Sequence, residues 1–125
     1  MNLRNLTGVI RSIYGLFYIV AGANHFLNPE FYVSIMPDYL PYHIQLVYIS
    51  GVAEVILGGG LFFSSSRKLA AWGIIALLFA VFPANVHMAM HPERFSDVPV
   101  FLLHVRLIVQ GFLMYWAWLY TKDRR

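Results

Sequence analysis

The sequence predicts an all-α protein, an integral membrane four-helix bundle with a short interfacial helix between the first and second spans, built as a single domain over residues 1–125. Three observations carry that expectation. Hydrophobic residues make up 59% of the chain and charged residues 12%, and the mean hydropathy is +0.62; so short a chain has too little interior to hide that much apolar surface from water. Four segments, residues 6–27, 43–63, 69–90 and 98–120, each reach the roughly 20 residues that cross about 30 Å of hydrocarbon. One carboxylate, Glu54, stands in the middle of the second segment, where lipid burial costs roughly 2.5–3.5 kcal/mol and therefore requires a partner.

In the first segment, Ala21-Gly22-Ala23 fits the small-residue pattern of a secretory cleavage site after a short basic N terminus. The apolar run is too long and too rich in tyrosine and glycine for a leader, so a retained helix is expected. Arg11, Tyr18 and His25 repeat every seven residues, with Tyr14 and Gly22 between them. That spacing makes one stripe facing the other helices. The connection that follows is helical in pattern: Asn28 suits a cap, Pro29 the first position and Glu30 the first turn, while Phe31, Tyr32, Ile35 and Met36 share a face before Pro37 stops it. A short amphipathic helix over residues 29–36 is expected in the outer interface, either as a lipid-facing anchor or as a lid over a pocket. Pro37 and Pro41 then turn the chain into the second span.

In the second span, Gly51, Glu54 and Gly58 form a small-residue stripe around the carboxylate, which is expected to leave space for a ligand or water. The Gly58-Gly59-Gly60 run leads into Ser64-Ser65-Ser66-Arg67-Lys68; it is no phosphate loop and is expected to let helices approach closely. The third span holds Asn85 and His87 in its outer part, and the fourth holds His104, Arg106 and Gln110 in its outer half. Counted from the outer ends, Glu54 lies about 11 residues deep and Arg106 and Gln110 about 8 and 12, so at ~1.5 Å per residue they share a level. Arg106 and Gln110 also share a face at i, i+4. Arg106 is therefore the expected partner of Glu54. His25, Glu54, Asn85, His87, His104, Arg106 and Gln110 make up a candidate buried polar cluster. It reads either as a structural ion pair with its spare lone pairs satisfied or as a ligand or proton site. His87 and His91 at i, i+4 could join His25 or His104 around a metal or a haem iron. Histidines on neighbouring turns equally describe an outer polar cap, and no metal ligand set is assigned.

Orientation follows from charge. Arg4, Arg11, Arg67, Lys68, Lys122, Arg124 and Arg125 fall on one side, whereas the opposite loops carry Glu30, Asp38, Glu93 and Asp97 against the single Arg94. Both termini are thus expected in the cytoplasm, as a multi-pass protein of the bacterial cytoplasmic membrane. The pI of 9.4 reflects those flanks and contact with anionic lipid, not nucleic acid. Trp116, Trp118 and Tyr120 would form the inner aromatic belt, with Tyr39 and Tyr42 in the outer one.

Chemistry is narrowed by what is missing. With no cysteine, thiolate nucleophiles, disulfide exchange and cysteine-ligated metal centres are excluded for this chain by itself. No nucleotide-binding or zinc-protease motif occurs.

Several runs together carry a resemblance: Gly22-Ala23-Asn24-His25-Phe26-Leu27-Asn28-Pro29, Pro37-Asp38-Tyr39-Leu40-Pro41, Ser50-Gly51-Val52-Ala53-Glu54, Gly58, Arg67-Lys68-Leu69-Ala70-Ala71 and Phe82-Pro83-Ala84-Asn85-Val86. In combination the chain resembles the DoxX-like family of small bacterial membrane proteins. The resemblance implies a four-helix protein of the cytoplasmic membrane, in a superfamily that includes a subunit of thiosulfate:quinone oxidoreductase and, more distantly, receptor-assembly chaperones. Its characteristic positions here are His25, Pro29, Pro37, Pro41, Gly51, Glu54, Pro83 and Asn85, and no defined catalytic role comes with them. Three function classes follow. One is a redox accessory subunit that binds a quinone-like lipophilic ligand near Glu54, with His25 or Asn85 bonding a carbonyl. Another is a noncatalytic assembly or interaction subunit, and the third a small proton-coupled exporter. Any electron transfer would involve a bound cofactor or a partner subunit of a redox complex.

Overall fold

A computed structural model of the chain describes residues 2–95 and 99–122. Its element order is α1 (Leu3–Leu27), α2 (Pro29–Ile35), α3 (His43–Gly60), α4 (Arg67–Met90), a single 3-10 turn (Pro92–Phe95) and α5 (Val100–Tyr120). The four long helices are each long and apolar enough to cross a membrane, and they match the four expected segments to within a few residues. The expected start at Val98 and the charges Asp97, Arg124 and Arg125 lie outside the described residues. Successive helices run antiparallel, so the chain termini share one end of the bundle with the α3–α4 turn, and α2 and the 3-10 turn occupy the other.

The α1–α3 pair is set by four glycines. A methyl added at Gly22 would stand 2.5 Å from the Gly51 carbonyl oxygen, and one at Gly58 would stand 2.6 Å from the Gly15 carbonyl oxygen. Glycine is required because the obstacle in each case is backbone, which cannot rotate away. The two contacts recur at seven residues on both helices, so α1 and α3 run together along their length. The expectation that the Gly51–Gly58 stripe leaves space beside Glu54 is corrected here: α1 fills that face. Of the later glycines, Gly58 and Gly60 do serve close packing, whereas nothing lies within 4 Å of a methyl at Gly59.

At the termini end, Tyr14, Tyr18, Leu61, Ala70, Ala71, Ile74, Leu78 and Ala117 form an apolar core. Tyr14 joins α1 to α5: its hydroxyl donates to the Leu113 carbonyl at 2.7 Å, and its ring packs 4.3 Å from that of Trp116. Trp116 donates to the Tyr120 hydroxyl at 3.0 Å, and both residues are partly buried against this core; Trp118, by contrast, is exposed. A second, smaller core of Ile35, Met88 and Leu103 lies under α2 at the other end.

Arg67, counted from sequence among the basic residues of one side, is buried. Its Nε donates to the Leu61 carbonyl at 2.9 Å, which satisfies a carbonyl left orphaned at the end of α3 and sets a cation at the negative end of that helix. The short helix ends one residue early, at Ile35, because Met36 precedes Pro37 and takes extended geometry (φ −78, ψ 142). Asn28 holds the N-cap position without a side-chain cap bond; its amide donates instead to Asn24 Oδ1 at 2.6 Å.

Because the α1–α3 contact is backbone to backbone, Gly22→Ala and Gly58→Ala are each expected to lower stability by about 1–3 kcal/mol. Gly59→Ala and Gly111→Ala, whose added methyls meet nothing within 4 Å, are expected to be neutral or stabilising by up to about 1 kcal/mol. Thermal unfolding of the purified variants checks this; equal losses at Gly22 and Gly59 would contradict it.

Candidate functional site

Between the two apolar cores lies a polar layer with a partly open cavity of about 300 Å³. All five α-helices contribute to its wall: Ala21 and His25 from α1, Tyr32 and Ile35 from α2, Val47, Ser50 and Glu54 from α3, Ala80, Pro83, Ala84 and Asn85 from α4, and Arg106 from α5. Ser50 on α3 and Ala80 and Ala84 on α4 are the small side chains beside the space, and Met36, Pro37 and Leu40 complete its lining.

His25 and Glu54 meet across the Gly22–Gly51 contact. His25 Nε2 stands 3.2 Å from Glu54 Oε2, and both side chains are nearly buried. The opposite ring nitrogen, Nδ1, lies 2.8 Å from the Ala21 carbonyl one turn back. A carbonyl only accepts, so Nδ1 carries hydrogen and donates, which aims Nε2 at the carboxylate. The imidazole is held from its face as well: the Tyr32 ring stacks on it at 3.8 Å and 16°, and Asn24 donates to the Tyr32 hydroxyl at 2.7 Å. Through these contacts α2 is latched to the end of α1.

Arg106 therefore is not the partner of Glu54. Among the described residues the expected ion pair is replaced by two separate arrangements on opposite walls of one cavity. Arg106 Nε donates to Asn85 Oδ1 at 3.3 Å, and the Asn85 amide donates to Gln110 Oε1. Gln110 Nε2 donates in turn to the Leu78 carbonyl at 2.7 Å. That last bond falls next to the turn where Pro83, inside α4, has no N–H to give the carbonyl of Phe79. Physically, Glu54 goes to His25 because the glycine contact brings α3 against α1, whereas equal depth in the bundle says nothing about which neighbour a helix faces.

His87 and His104 do not line the cavity. Each lies two residues from a cavity residue, Asn85 and Arg106, and two residues rotate a helix by about 200°. His104 is exposed. His87 is buried on the other side of α4, 3.5 Å from Arg94 Nη1 and with its ring 4.5 Å from that of His91. His91 Nδ1 in turn bonds the His87 carbonyl at 3.0 Å. Among the described residues no three histidine or carboxylate side chains converge as a metal set. Tyr32 and Ser50 are wall residues that the polar pattern did not single out. Tyr32 was legible as the aromatic of the amphipathic face on 29–36, but its partner was not, and Ser50 carries no distinguishing signal.

Every fully buried side-chain nitrogen or oxygen among the described residues has a hydrogen-bond partner. Glu54 and Arg106 line the cavity, and beyond Glu54 Oε2 and Arg106 Nε neither the carboxylate nor the guanidinium has a protein partner among the described residues. The site thus offers a carboxyl group, a cation and a flat aromatic wall, set in apolar surroundings.

Residues 14–121, most of the chain, match the family described as a domain of unknown function, DUF8561. No curated protein and no solved structure matches.

Separate walls have separate energetics. Glu54→Leu and His25→Phe are each expected to cost about 1–3 kcal/mol by stranding the other's polar group, and the double variant to recover at least about 0.5 kcal/mol of the sum. The Glu54→Leu and Arg106→Leu pair should instead add within about 0.5 kcal/mol. Unfolding free energies across both cycles decide it, and coupling to Arg106 rather than to His25 would reverse the assignment.

Proposed function

The chain belongs to the DUF8561 family, and we propose that it is a multi-pass protein of the bacterial cytoplasmic membrane, with both termini cytoplasmic, whose cavity receives the polar head of a quinone-like lipophilic ligand. In this reading it acts as an accessory subunit of a membrane oxidoreductase, the role that its resemblance to the DoxX-like proteins implies. The observation that carries the reading is the cavity of about 300 Å³ onto which His25, Glu54 and Arg106 open.

Membrane placement is supported by inverted polarity. The four long helices have mean window hydropathies from 1.2 to 2.1, yet only 17–22% of each window is buried inside the bundle. Phe79, Phe101 and Ile108 point outward while Glu54, His25 and Gln110 are buried. Such an arrangement is costly in water and suited to lipid. Orientation is supported by Arg11, Lys68 and Lys122 at the termini end and by the exposed acids Glu30, Asp38 and Glu93 at the α2 end. α2 then lies in the outer interface as a cover on the cavity.

A quinone head accepts hydrogen bonds at two carbonyl oxygens and gains protons on reduction. Arg106 supplies donors on one wall, and the His25–Glu54 pair holds a proton on the other. The exporter reading fares worse, because the fully buried Tyr14, Leu61, Ala71 and Ile74 fill the bundle between the cavity and the termini end. A noncatalytic assembly role requires only a folded polar layer and leaves the cavity without a purpose.

Two outcomes are expected. The chain has no cysteine, so single cysteines placed at Ser65 and Tyr39 should react with an impermeant reagent from the cytoplasmic and the outer side respectively. Labelling of both from one side would sink the topology. A short-chain ubiquinone analogue should bind the purified protein, and Ala84→Leu, which fills the cavity, should weaken binding by about tenfold or more with little loss of stability. Undiminished binding by that variant would remove the cavity from the reading.

A further inference from the structure

Proton counting assigns a charge to the cavity. His25 Nδ1, 2.8 Å from the Ala21 carbonyl, bears a hydrogen. Its Nε2 is 3.2 Å from Glu54 Oε2; two lone pairs facing each other at that distance would repel, so one proton lies between them. Whether that proton is drawn on nitrogen or on oxygen, the pair sums to zero charge. Arg106 is a permanent cation. Its only hydrogen bond among the described residues goes to a neutral amide, Asn85, at 3.3 Å. The acids nearest by position are committed elsewhere: Asp38 pairs with Arg94 at 3.0 Å, and Glu30 and Glu93 are exposed. None of the three lines the cavity.

The cavity therefore holds one positive charge that no described side chain neutralises, at a guanidinium whose two terminal nitrogens are uncommitted. We infer that the head group this cavity holds best is an oxyanion, gripped by Arg106 in the forked geometry that guanidinium and carboxylate-like groups share. The inference rests on the ligand-binding reading above and narrows its chemistry. A neutral quinone can accept hydrogen bonds from Arg106 but leaves the charge in place, whereas an ionised group removes it in low dielectric. The His25–Glu54 pair, its one proton held between the two side chains, sums to zero and sets no negative charge against the oxyanion, and Val47, Ile35 and Val81 accept the apolar body. The same chemistry has two sources, the ionised acid of a lipid chain and the ionised ring hydroxyl of a quinone.

The test uses the full chain in nanodiscs with a diazirine-bearing palmitate probe whose crosslink is mapped by mass spectrometry. Two matched competitor pairs are compared: palmitate against hexadecanol, and a 2-hydroxy- against a 2-methoxy-3-alkyl-1,4-naphthoquinone. The expected result is a crosslink within residues 80–85 and an advantage of about tenfold for the ionised member of at least one pair, the effect of one hydrogen bond to a charged group. Which pair shows it names the source. Hexadecylamine, tested on the wild type alone, should compete worst. Arg106→Gln should erase the advantage, weakening the ionised members about tenfold more than their neutral partners, and Arg106→Lys should retain part of it. Equal competition within both pairs would overturn the oxyanion while the cavity stays a ligand site. An advantage that survives Arg106→Gln would overturn the role of Arg106. No specific crosslink and no competition by any of the four compounds would overturn the ligand-binding reading and this inference together.

Discussion

The backbone contact between α1 and α3 governs the polar site. Gly15 against Gly58 and Gly22 against Gly51 bring two helices so close that a single added methyl would strike a carbonyl oxygen. Side chains flanking such a contact have little freedom. His25, three residues beyond Gly22, and Glu54, three beyond Gly51, are pressed together at 3.2 Å. The i−4 carbonyl of Ala21 then holds the far side of the imidazole. An interaction costly to place among apolar residues is thus assembled by the least reactive residues in the chain.

The rest of the polar layer follows the same economy in low dielectric, where each donor needs an acceptor. Pro83 interrupts the α4 ladder at the Phe79 carbonyl, and Gln110 from α5 donates to the adjacent Leu78 carbonyl. Its other end accepts from Asn85, which in turn accepts from Arg106. Such a chain ties α4 to α5 at the depth where α1 and α3 are tied by His25 and Glu54. Two helix pairs, each closed by its own polar contacts, face each other across the cavity. α2 bridges them from above through Tyr32 stacked on His25 and Ile35 packed with Met88 and Leu103.

That division also separates the charges. A carboxylate and a guanidinium at one depth would neutralise each other if they touched, leaving a structural pair and no site. Kept on opposite walls, Glu54 shares a proton with His25 and Arg106 keeps its charge. The cavity is consequently an apolar space with a few polar groups on opposite walls, closed toward the α3–α4 turn by the packing around Tyr14. The proposed lipophilic ligand with a polar head draws on that shape.

The sequence alone determined the all-helical architecture, the four apolar segments, the short helix after Asn28 and the gathering of polar residues toward one end of the spans. Periodicity and segment length report directly on how a helix divides its faces and how far it reaches. It also singled out Glu54, because a carboxylate in an apolar run is conspicuous without any neighbour being known. Partnership was another matter. Depth counting put Arg106 level with Glu54, yet level residues on four helices have several neighbours, and only the glycine contact decided that α1 supplies the partner. His87 and His104 were grouped with the site by depth, although each is about 200° around its helix from a residue that lines it. Arg67 looked like one more basic flank until the end of α3 was seen to need a donor for its carbonyls. A sequence specifies how each helix presents its faces; which faces meet depends on backbone approach distances, and those exist only once the helices are packed.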